Sequence, residues 1–173
     1  MELHTERLVL RDWRDDDYDV FAALHADPAV MIDHGGPIGR AESDAKLDLY
    51  RANANAHGFT RWAVDMAGRF IGYVGIMHWP GPHPLGAHND IGWRLSHDVW
   101  GTGCATEAAA AALRDGLTRC NLGEVLSYTA PGNRRSMSVM QRLELHRRAD
   151  LDFDMHHNGR SWIAQVHSTK AAG

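Results

Sequence analysis

The sequence has few cysteines and no excess of basic residues, and each shortage excludes a class of protein. Only two of the 173 residues are cysteines, Cys104 and Cys120. Both fall in one helical pattern, too far apart to bridge, so a disulfide-stapled fold is excluded. The chain carries 18 Lys and Arg against 22 Asp and Glu, a net charge of −4, whereas nucleic-acid binders usually carry a basic excess. We expect reduced thiols and no nucleic-acid partner.

Long apolar runs are absent as well. No run reaches the ~18 residues that a membrane span needs, and the first residues, MELHTERLVLRDW, lack the basic and apolar blocks of a signal peptide. Hydrophobic residues make up 44% and charged residues 23%, as in soluble globular proteins. We expect a cytoplasmic protein without a membrane partner, folded as one domain over residues 1–173 with its core at about 5–168.

Apolar periodicity predicts the order β, α, α, β, β, β, α, β, α, β, β, which is an α/β (α+β) domain with a mixed sheet. Predicted strands cover about 6–12, 60–66, 69–78, 90–96, 124–130, 147–155 and 161–169, and predicted helices cover 15–28, 41–58, 105–119 and 134–145. Pro28 is predicted to end the first helix. The second helix is predicted to pack through Ala45, Leu49 and Ala52.

The stretch DVWGTGCATEA, residues 98–108, places two glycines between a strand and an alanine-rich helix. A P-loop is excluded because Gly103 is followed by Cys104 and not by lysine. The dinucleotide fingerprint G-x-G-x-x-G is excluded because Thr106 stands where a small residue is required. Two readings stay open. The turn holds a phosphate on backbone N–H groups at the helix start, or it only starts a helix that Thr106 or Glu107 caps.

The charge distribution adds two open readings. Acidic residues crowd the first third of the chain, which favours a cationic ligand or a solvated surface. Basic residues cluster late, and they form either a solvated helix face or contacts to a phosphate. These basic residues are Arg134, Arg135, Arg142, Arg147 and Arg148.

The segment from the strand at 90–96 to residue 143 resembles the central block of the GNAT superfamily of N-acetyltransferases, and most closely its RimJ/RimL-like branch. The superfamily signature is Gln or Arg, two residues, Gly, one residue, then Gly or Ala. It falls on Trp100, Gly103 and Ala105, with Trp100 in place of Gln or Arg as is usual in this branch. A downstream Asn and Ser pattern falls on Asn133 and Ser136, and the resemblance extends over about 5–168.

The resemblance implies a single-domain GNAT fold whose central parallel strands, 90–96 and 124–130, splay apart with helices on both faces. It implies acetyl-CoA as cosubstrate, bound in that opening, with no metal. The pantetheine arm would add to the first strand like an extra strand, and the pyrophosphate would lie on the amides of 100–106. The implied cofactor-binding residues are Trp93, Leu95, Trp100, Gly101, Thr102, Gly103, Cys104, Ala105, Thr106, Asn133 and Ser136.

The implied reaction is attack of a primary amine on a thioester within a ternary complex, which needs a base, an oxyanion site and protonation of the thiolate. Asp90 stands where the branch often carries a strand-borne Glu and is the first candidate for the base; otherwise it is an exposed carboxylate at a strand start. His78 and His88 are weaker candidates, and Glu107 is better explained as a structural residue. Many relatives protonate the thiolate with a Tyr at the position of Met140.

Methionine cannot donate a proton, so Ser136 is the substitute as a hydrogen-bond donor, unless the thiolate leaves without a dedicated acid. The acceptor is a protein N-terminal α-amine or a small-molecule amine. An α-amine needs ~3 kcal/mol less help from a base than a lysine does. A homodimer is possible. The rival reading is a non-catalytic acyl-CoA-binding sensor or scaffold of the same fold.

The twelve histidines suggest a metal site, but the sequence has no HExxH or Cys-x-x-Cys spacing to support one. The segment HHNGR, residues 156–160, reads as a polar turn between two strands. We therefore expect no metal.

Overall fold

The computed structural model describes residues 1–157 and 159–172, and in this part of the chain nine strands form a mixed sheet flanked by five α-helices. The strands are β1 (Glu2–His4), β2 (Leu8–Arg11), β3 (Arg61–Met66), β4 (Arg69–Trp79), β5 (His88–Leu95), β6 (Leu126–Thr129), β7 (His146–Arg147), β8 (Phe153–His157) and β9 (Arg160–Ser168). The helices are α1 (Asp17–Ala26), α2 (Pro28–Met31), α3 (Arg40–His57), α4 (Cys104–Thr118) and α5 (Arg134–Arg142). Short 3₁₀ turns cover Ile32–His34, His97–Val99 and Ala149–Leu151.

The sheet has the order β1-β2-β3-β4-β5-β6-β9-β7, and β8 pairs with β9. Every pair in the described residues is antiparallel except β5 with β6, which is parallel. These two strands pair at one register position, Asp90 with Leu126, and then diverge. The predicted mixed α/β fold with splayed central parallel strands is confirmed.

Helices cover both faces of this sheet. On one face α4 buries its alanine stripe, Ala108, Ala109 and Ala112, in the main apolar core. This helix lies so close to β4 that a Cβ at Gly116 would stand 2.4 Å from the Ile76 side chain. On the other face α1 and α3 bury an aromatic cluster in which Phe21, Tyr50 and Tyr73 lie with ring centroids 5.3–5.9 Å apart. The open end of β5 and β6 is thus held between two packed layers.

Arg11 ties the start of α1 to the sheet. Its guanidinium donates to both carboxylate oxygens of Asp17, at 2.7 and 2.9 Å, and to Asp65 on β3 at 2.6 Å. Arg11 is 5% and Asp17 4% exposed. A buried charge left without its partner is costly. The network therefore fixes the start of α1 against the sheet.

Pro28 ends the first helix, as predicted, and it also begins a second, short helix. Helix α1 ends at Ala26, and Pro28 is the first residue of α2. Proline suits that position because its missing N–H needs no partner there. The Asp27 carboxylate accepts a hydrogen bond from the Ala29 N–H at 2.8 Å and so caps the new helix.

The predicted packing face of the second long helix is wrong. Leu49 is 45% exposed, whereas α3 buries Ser43, Leu47, Tyr50 and Asn53. Burying Leu47 and Tyr50 removes more apolar area from water than burying two alanines and one leucine. The large side chains therefore set the rotation of the helix.

The strand predicted at 147–155 is divided into β7, a 3₁₀ turn and β8. Ion pairs within the segment join Arg148 to Asp150, two residues away, at 2.7 Å and Arg147 to Asp152. These short-range pairs accompany a bend that an extended strand could not make. The predicted turn at 156–160 includes residue 158, which lies outside the described residues. None of the described helices is long and apolar enough to cross a bilayer.

Candidate active site

Two cavities open where β5 and β6 diverge. The larger, about 770 Å³, is lined by residues 99–107 and by α5, and we name it the glycine-turn cavity. The smaller, about 270 Å³, lies over β5 and β6 beside α3, and we name it the sheet cavity. Six residues line both, namely Asp33, His34, Trp93, Arg94, Asn133 and Ser136. The two cavities therefore meet, and we call these six residues the junction.

The glycine turn is built by two residues in the left-handed region, Gly101 with φ 76° and Gly103 with φ 87°. Helix α4 begins directly after it at Cys104, and no side chain caps that helix start. One of the two interpretations of the sequence required Thr106 or Glu107 to cap this helix, and neither side chain does so. The first N–H groups of a helix have no partner within the helix and carry the positive end of its dipole. This corner of the cavity is therefore suited to an anion.

Every residue predicted from the resemblance to contact the cofactor lines the glycine-turn cavity. The edge of β5 opens into the same space. The Ile91 carbonyl accepts a hydrogen bond from the Ser127 hydroxyl at 3.0 Å, so it faces the β6 side. Since the peptide groups of a strand point alternately to its two neighbours, those of Trp93 and Leu95 face the same side. There β6 has moved away, and the Leu95 carbonyl accepts instead from the Trp100 indole at 2.9 Å.

Hydrogen bonds to the N-terminal segment, which the sequence did not reveal, hold the glycine turn in place. The Glu107 carboxylate accepts from the Thr5 hydroxyl at 2.5 Å and from the Arg7 side chain at 2.7 Å. Arg7 also donates to the Thr102 carbonyl at 3.0 Å. Burial alone would raise the pKa of Glu107, but the hydrogen bonds from Thr5 and Arg7 lower it. The structural role favoured for Glu107 agrees with this arrangement.

Trp100 and Arg135 close one wall of the glycine-turn cavity. The Arg135 guanidinium lies 3.8 Å from the centroid of the Trp100 ring and pairs with Asp33 at 2.8 Å. Stacking of this kind is characteristic of arginine. Of the late arginine cluster, Arg135 and Arg142 line the cavity. Arg147 and Arg148 instead pair with nearby carboxylates.

Asp90 lies at the base of the sheet cavity and is 4% exposed. The alternative of an exposed carboxylate at a strand start is therefore wrong. One of its oxygens accepts from Arg61 at 2.7 Å and the other from the Trp79 indole at 2.6 Å. A carboxylate has about four lone-pair positions, so each oxygen keeps one free for a further donor. The role of Asp90 as a base stays a prediction.

Ser136 lies at the junction because Asn133 caps helix α5. The Asn133 side-chain oxygen accepts from the Ser136 N–H at 3.1 Å, which fixes the first turn and its hydroxyl-bearing side chain. Met140, at the position of the usual tyrosine, is buried and lines the sheet cavity. The role of Ser136 stays a prediction as well.

Tyr128 is a hydroxyl donor in the sheet cavity that sequence reasoning missed. Burial and the nearby Asp90 raise its pKa, so it keeps its proton at neutral pH. Two histidines considered as bases lie elsewhere: His78 contacts Asn89 and His88 contacts the Gly86 carbonyl, and neither lines the two cavities. His34, at the junction, carried no signal in the sequence. Within 1–157 and 159–172, no three His, Cys, Asp or Glu side chains are grouped as metal ligands.

A family model described as an acetyltransferase (GNAT) domain matches residues 7–146. The chain belongs to this family. It is therefore an acyltransferase, and GNAT acetyltransferases use acetyl-CoA and an amine acceptor.

Three similar proteins illustrate the relationship. The FsC-acetyl coenzyme A-N(2)-transacetylase of Aspergillus fumigatus is 29% identical over 145 residues, which cover 80% of this chain and 62% of that protein. The crystal structure of an acetyltransferase from Agrobacterium tumefaciens str. C58 superposes with a TM-score of 0.82 at 27% identity, covering 98% of this chain and 94% of that one. RimL, a ribosomal L7/L12 alpha-N-protein acetyltransferase in complex with coenzyme A, shares the fold with a TM-score of 0.77 at 12% identity, covering 99% and 98%.

We expect Gly103→Val to weaken binding of coenzyme A at least tenfold in isothermal titration. A branched side chain is strained in the left-handed region, and this one would stand in the cavity beside the helix start. Gly68→Val is the matched control, because Gly68 has a similar φ of 77° in the β3–β4 turn and nothing within 4 Å of its Cβ position. Unchanged affinity in Gly103→Val would place the binding of coenzyme A elsewhere.

Proposed function

We propose that this protein is an acetyl-CoA-dependent N-acetyltransferase that moves the acetyl group directly to a primary amine in a ternary complex. The observation that carries the proposal is the junction, where the larger cavity and the smaller one meet through six shared residues. Direct transfer needs two substrates whose reacting atoms come together in one place. Neither cysteine of the chain belongs to the junction, so a thiol that would carry the acetyl group between two half-reactions has no support.

The glycine-turn cavity is our proposed site for acetyl-CoA. The free N–H groups at the start of α4 would hold the pyrophosphate. The pantetheine arm would run along β5 and take up the peptide groups of Trp93 and Leu95 in the manner of an added strand. This placement brings the thioester to Asn133 and Ser136 at the junction and leaves the sheet cavity for the amine.

The chemistry that we propose uses groups on both sides of the junction. Asp90 takes the proton of the amine through a water molecule, which can occupy the lone-pair positions that Arg61 and Trp79 leave open. Ser136 donates a hydrogen bond to the departing thiolate. Tyr128 is the alternative donor on the acceptor side, since it stays protonated.

The acceptor is a protein N-terminal α-amine or a small-molecule amine, as in the RimJ/RimL-like branch. The name of the solved RimL structure, an alpha-N-protein acetyltransferase, supports the first, and that of the Aspergillus relative, an N(2)-transacetylase, supports the second. We further propose that the whole chain forms one such domain, since β9 pairs with both β6 and β7 in the same sheet.

The proposal predicts release of free CoA only when an amine is present. With acetyl-CoA and a panel of primary amines, initial rates measured at several concentrations of both substrates should give intersecting double-reciprocal lines, since both substrates must be bound before transfer. Parallel lines would contradict direct transfer. Binding of acetyl-CoA without turnover of any amine would favour a non-catalytic acyl-CoA-binding module.

Asp90→Asn should lower kcat/KM about 100-fold at pH 7 and much less above pH 8, because a neutral α-amine becomes the main species there without help. The measurement is a pH profile of kcat/KM, with the melting temperature of each variant as a check of folding. Trp79→Phe is the matched control, since it removes one hydrogen bond to Asp90 and keeps the carboxylate. Equal losses at all pH values in Asp90→Asn would remove Asp90 from the role of base.

A further inference from the structure

The charges that line the sheet cavity are unevenly paired. Three cations line it, Lys46 on α3, Arg61 on β3 and Arg94 on β5, with the carboxylates Asp33, Glu42 and Asp90. Asp90 is engaged by Arg61 at 2.7 Å, and Asp33 by Arg135 on α5 at 2.8 Å. Of the charged residues that line the cavity, Lys46, Arg94 and the exposed Glu42 remain outside these ion pairs.

Arg94 and Lys46 have no carboxylate of their own in the described residues. Neither takes part in an ion pair within 4.0 Å there, and Glu42, one helical turn before Lys46, acts on it only through space. Arg94 is 8% exposed, and its guanidinium lies 5.7 Å from the centroid of the Tyr73 ring. A cation removed from water without a partner is costly. These two side chains therefore leave positive charge in the cavity that no described carboxylate within 4.0 Å neutralises.

The layer beneath the two cations supplies no acid. His25 is fully buried there and lies 3.0 Å from the Phe21 carbonyl, 3.2 Å from the Tyr73 hydroxyl and 3.2 Å from the Ser43 hydroxyl. Burial, and the nearby charges of Arg94 and Lys46, lower the pKa of His25 to about 3. His25 is thus neutral at physiological pH and offers the two cations no negative charge.

Tyr50 responds to the same excess of positive charge. Burial alone would raise the pKa of its phenol, but Arg61, Lys46 and Arg94 outweigh burial and lower it. Three acids of the first third do not compensate, because they are paired elsewhere: Asp15 with Arg51, Asp17 with Arg11 and Asp19 with Arg40, each at 2.7 Å. For a cationic acceptor, which the acidic first third favoured, the cavity offers one carboxylate outside any ion pair of the described residues, Glu42, beside the two unpaired cations.

We propose that the acceptor carries a carboxylate as well as its amine, and that Arg94 and Lys46 bind this carboxylate in the sheet cavity. The inference rests on the proposed function and names its substrate class. Guanidinium and carboxylate form the short, charge-assisted hydrogen bonds that fix orientation. Because Arg94 lines both cavities, the carboxylate would lie close to the amine. An amino acid has this arrangement, and so does a peptide with an acidic residue near its N-terminus.

The test compares acceptors that differ only in the carboxylate. Phenylalanine and phenylalaninamide form one pair, since Trp79, Met140 and Trp162 give the cavity apolar walls. Peptides that begin Ser-Glu and Ser-Gln form the second, so the two pairs distinguish a free amino acid from a protein N-terminus. Release of CoA is measured, and kcat/KM is referred to the concentration of neutral amine, because removing the carboxylate changes the pKa of the amine.

We expect the acid of at least one pair to be preferred at least tenfold by the native protein. Arg94→Gln and Lys46→Gln should each lower kcat/KM for the acid at least tenfold more than for the matched amide or Gln substrate, so that the preference falls to near unity. Arg51→Gln is the matched control, since Arg51 lies outside both cavities and pairs with Asp15 at 2.7 Å. Equal rates for acid and amide in both pairs, or a preference that survives both substitutions, would overturn the inference.

Binding of the product pair separates this inference from the proposed function. In isothermal titration with coenzyme A present, N-acetylphenylalanine should bind at least tenfold more tightly than its amide, and Arg94→Gln should abolish the difference. Turnover of amines with no preference for an acid in either assay would contradict the proposed substrate class and would still support the acetyltransferase reaction. Preferential binding of the acid without turnover of any acceptor would contradict the proposed reaction and would still support a carboxylate-binding site at Arg94 and Lys46.

Discussion

The structure depends on one break in backbone pairing. Strands β5 and β6 run parallel, meet at Asp90 and Leu126, and then separate. Peptide groups in the middle of a sheet normally bond on both sides, so a gap at this position leaves the edge of β5 available within an otherwise packed protein. Both cavities lie along this gap, and their junction is where a direct transfer would take place.

The residues around the break keep it open. The ion pair of Arg61 with Asp90 and the hydrogen bond from Trp79 fix the paired end, where burial makes the loss of either partner costly. At the other end the glycine turn, braced by Glu107 and Arg7, turns the chain into α4. Asn133 caps α5 across the gap. The separation is therefore built by specific contacts on both sides.

Much of this could be predicted from the sequence because the signals are local. Alternating apolar residues gave β3 to β5, and the alanine stripe gave α4. The two glycines indicated the position of the turn. The resemblance to the GNAT signature indicated a set of cofactor-binding residues, and all of them line the glycine-turn cavity. The rotation of α3 could not be read in the same way, because it depends on whether Tyr50 finds the aromatic cluster on the far side of the sheet.

Charge pairing was the least predictable level. Arg11 finds Asp65 and Arg135 finds Asp33 across 54 and 102 positions of the chain, and no spacing rule reveals such partners. Counting acids along the first third suggested a cationic ligand or a solvated surface, while the folded chain pairs Asp15, Asp17 and Asp19 with arginines and leaves Arg94 and Lys46 outside the ion pairs of the described residues. The ion pairs within the segment 147–155 join residues only two and five positions apart, and they were missed because alternation of apolar residues does not report on charges.

Hydrogen–deuterium exchange with and without coenzyme A tests the central claim most directly, because it reads the backbone groups at the break themselves. We expect added coenzyme A to slow exchange at the amides of residues 93–95 and 101–106, and to leave the β3–β4 turn around Gly68 unchanged. Slowed exchange confined to other segments, with both of these stretches unaffected, would contradict the account.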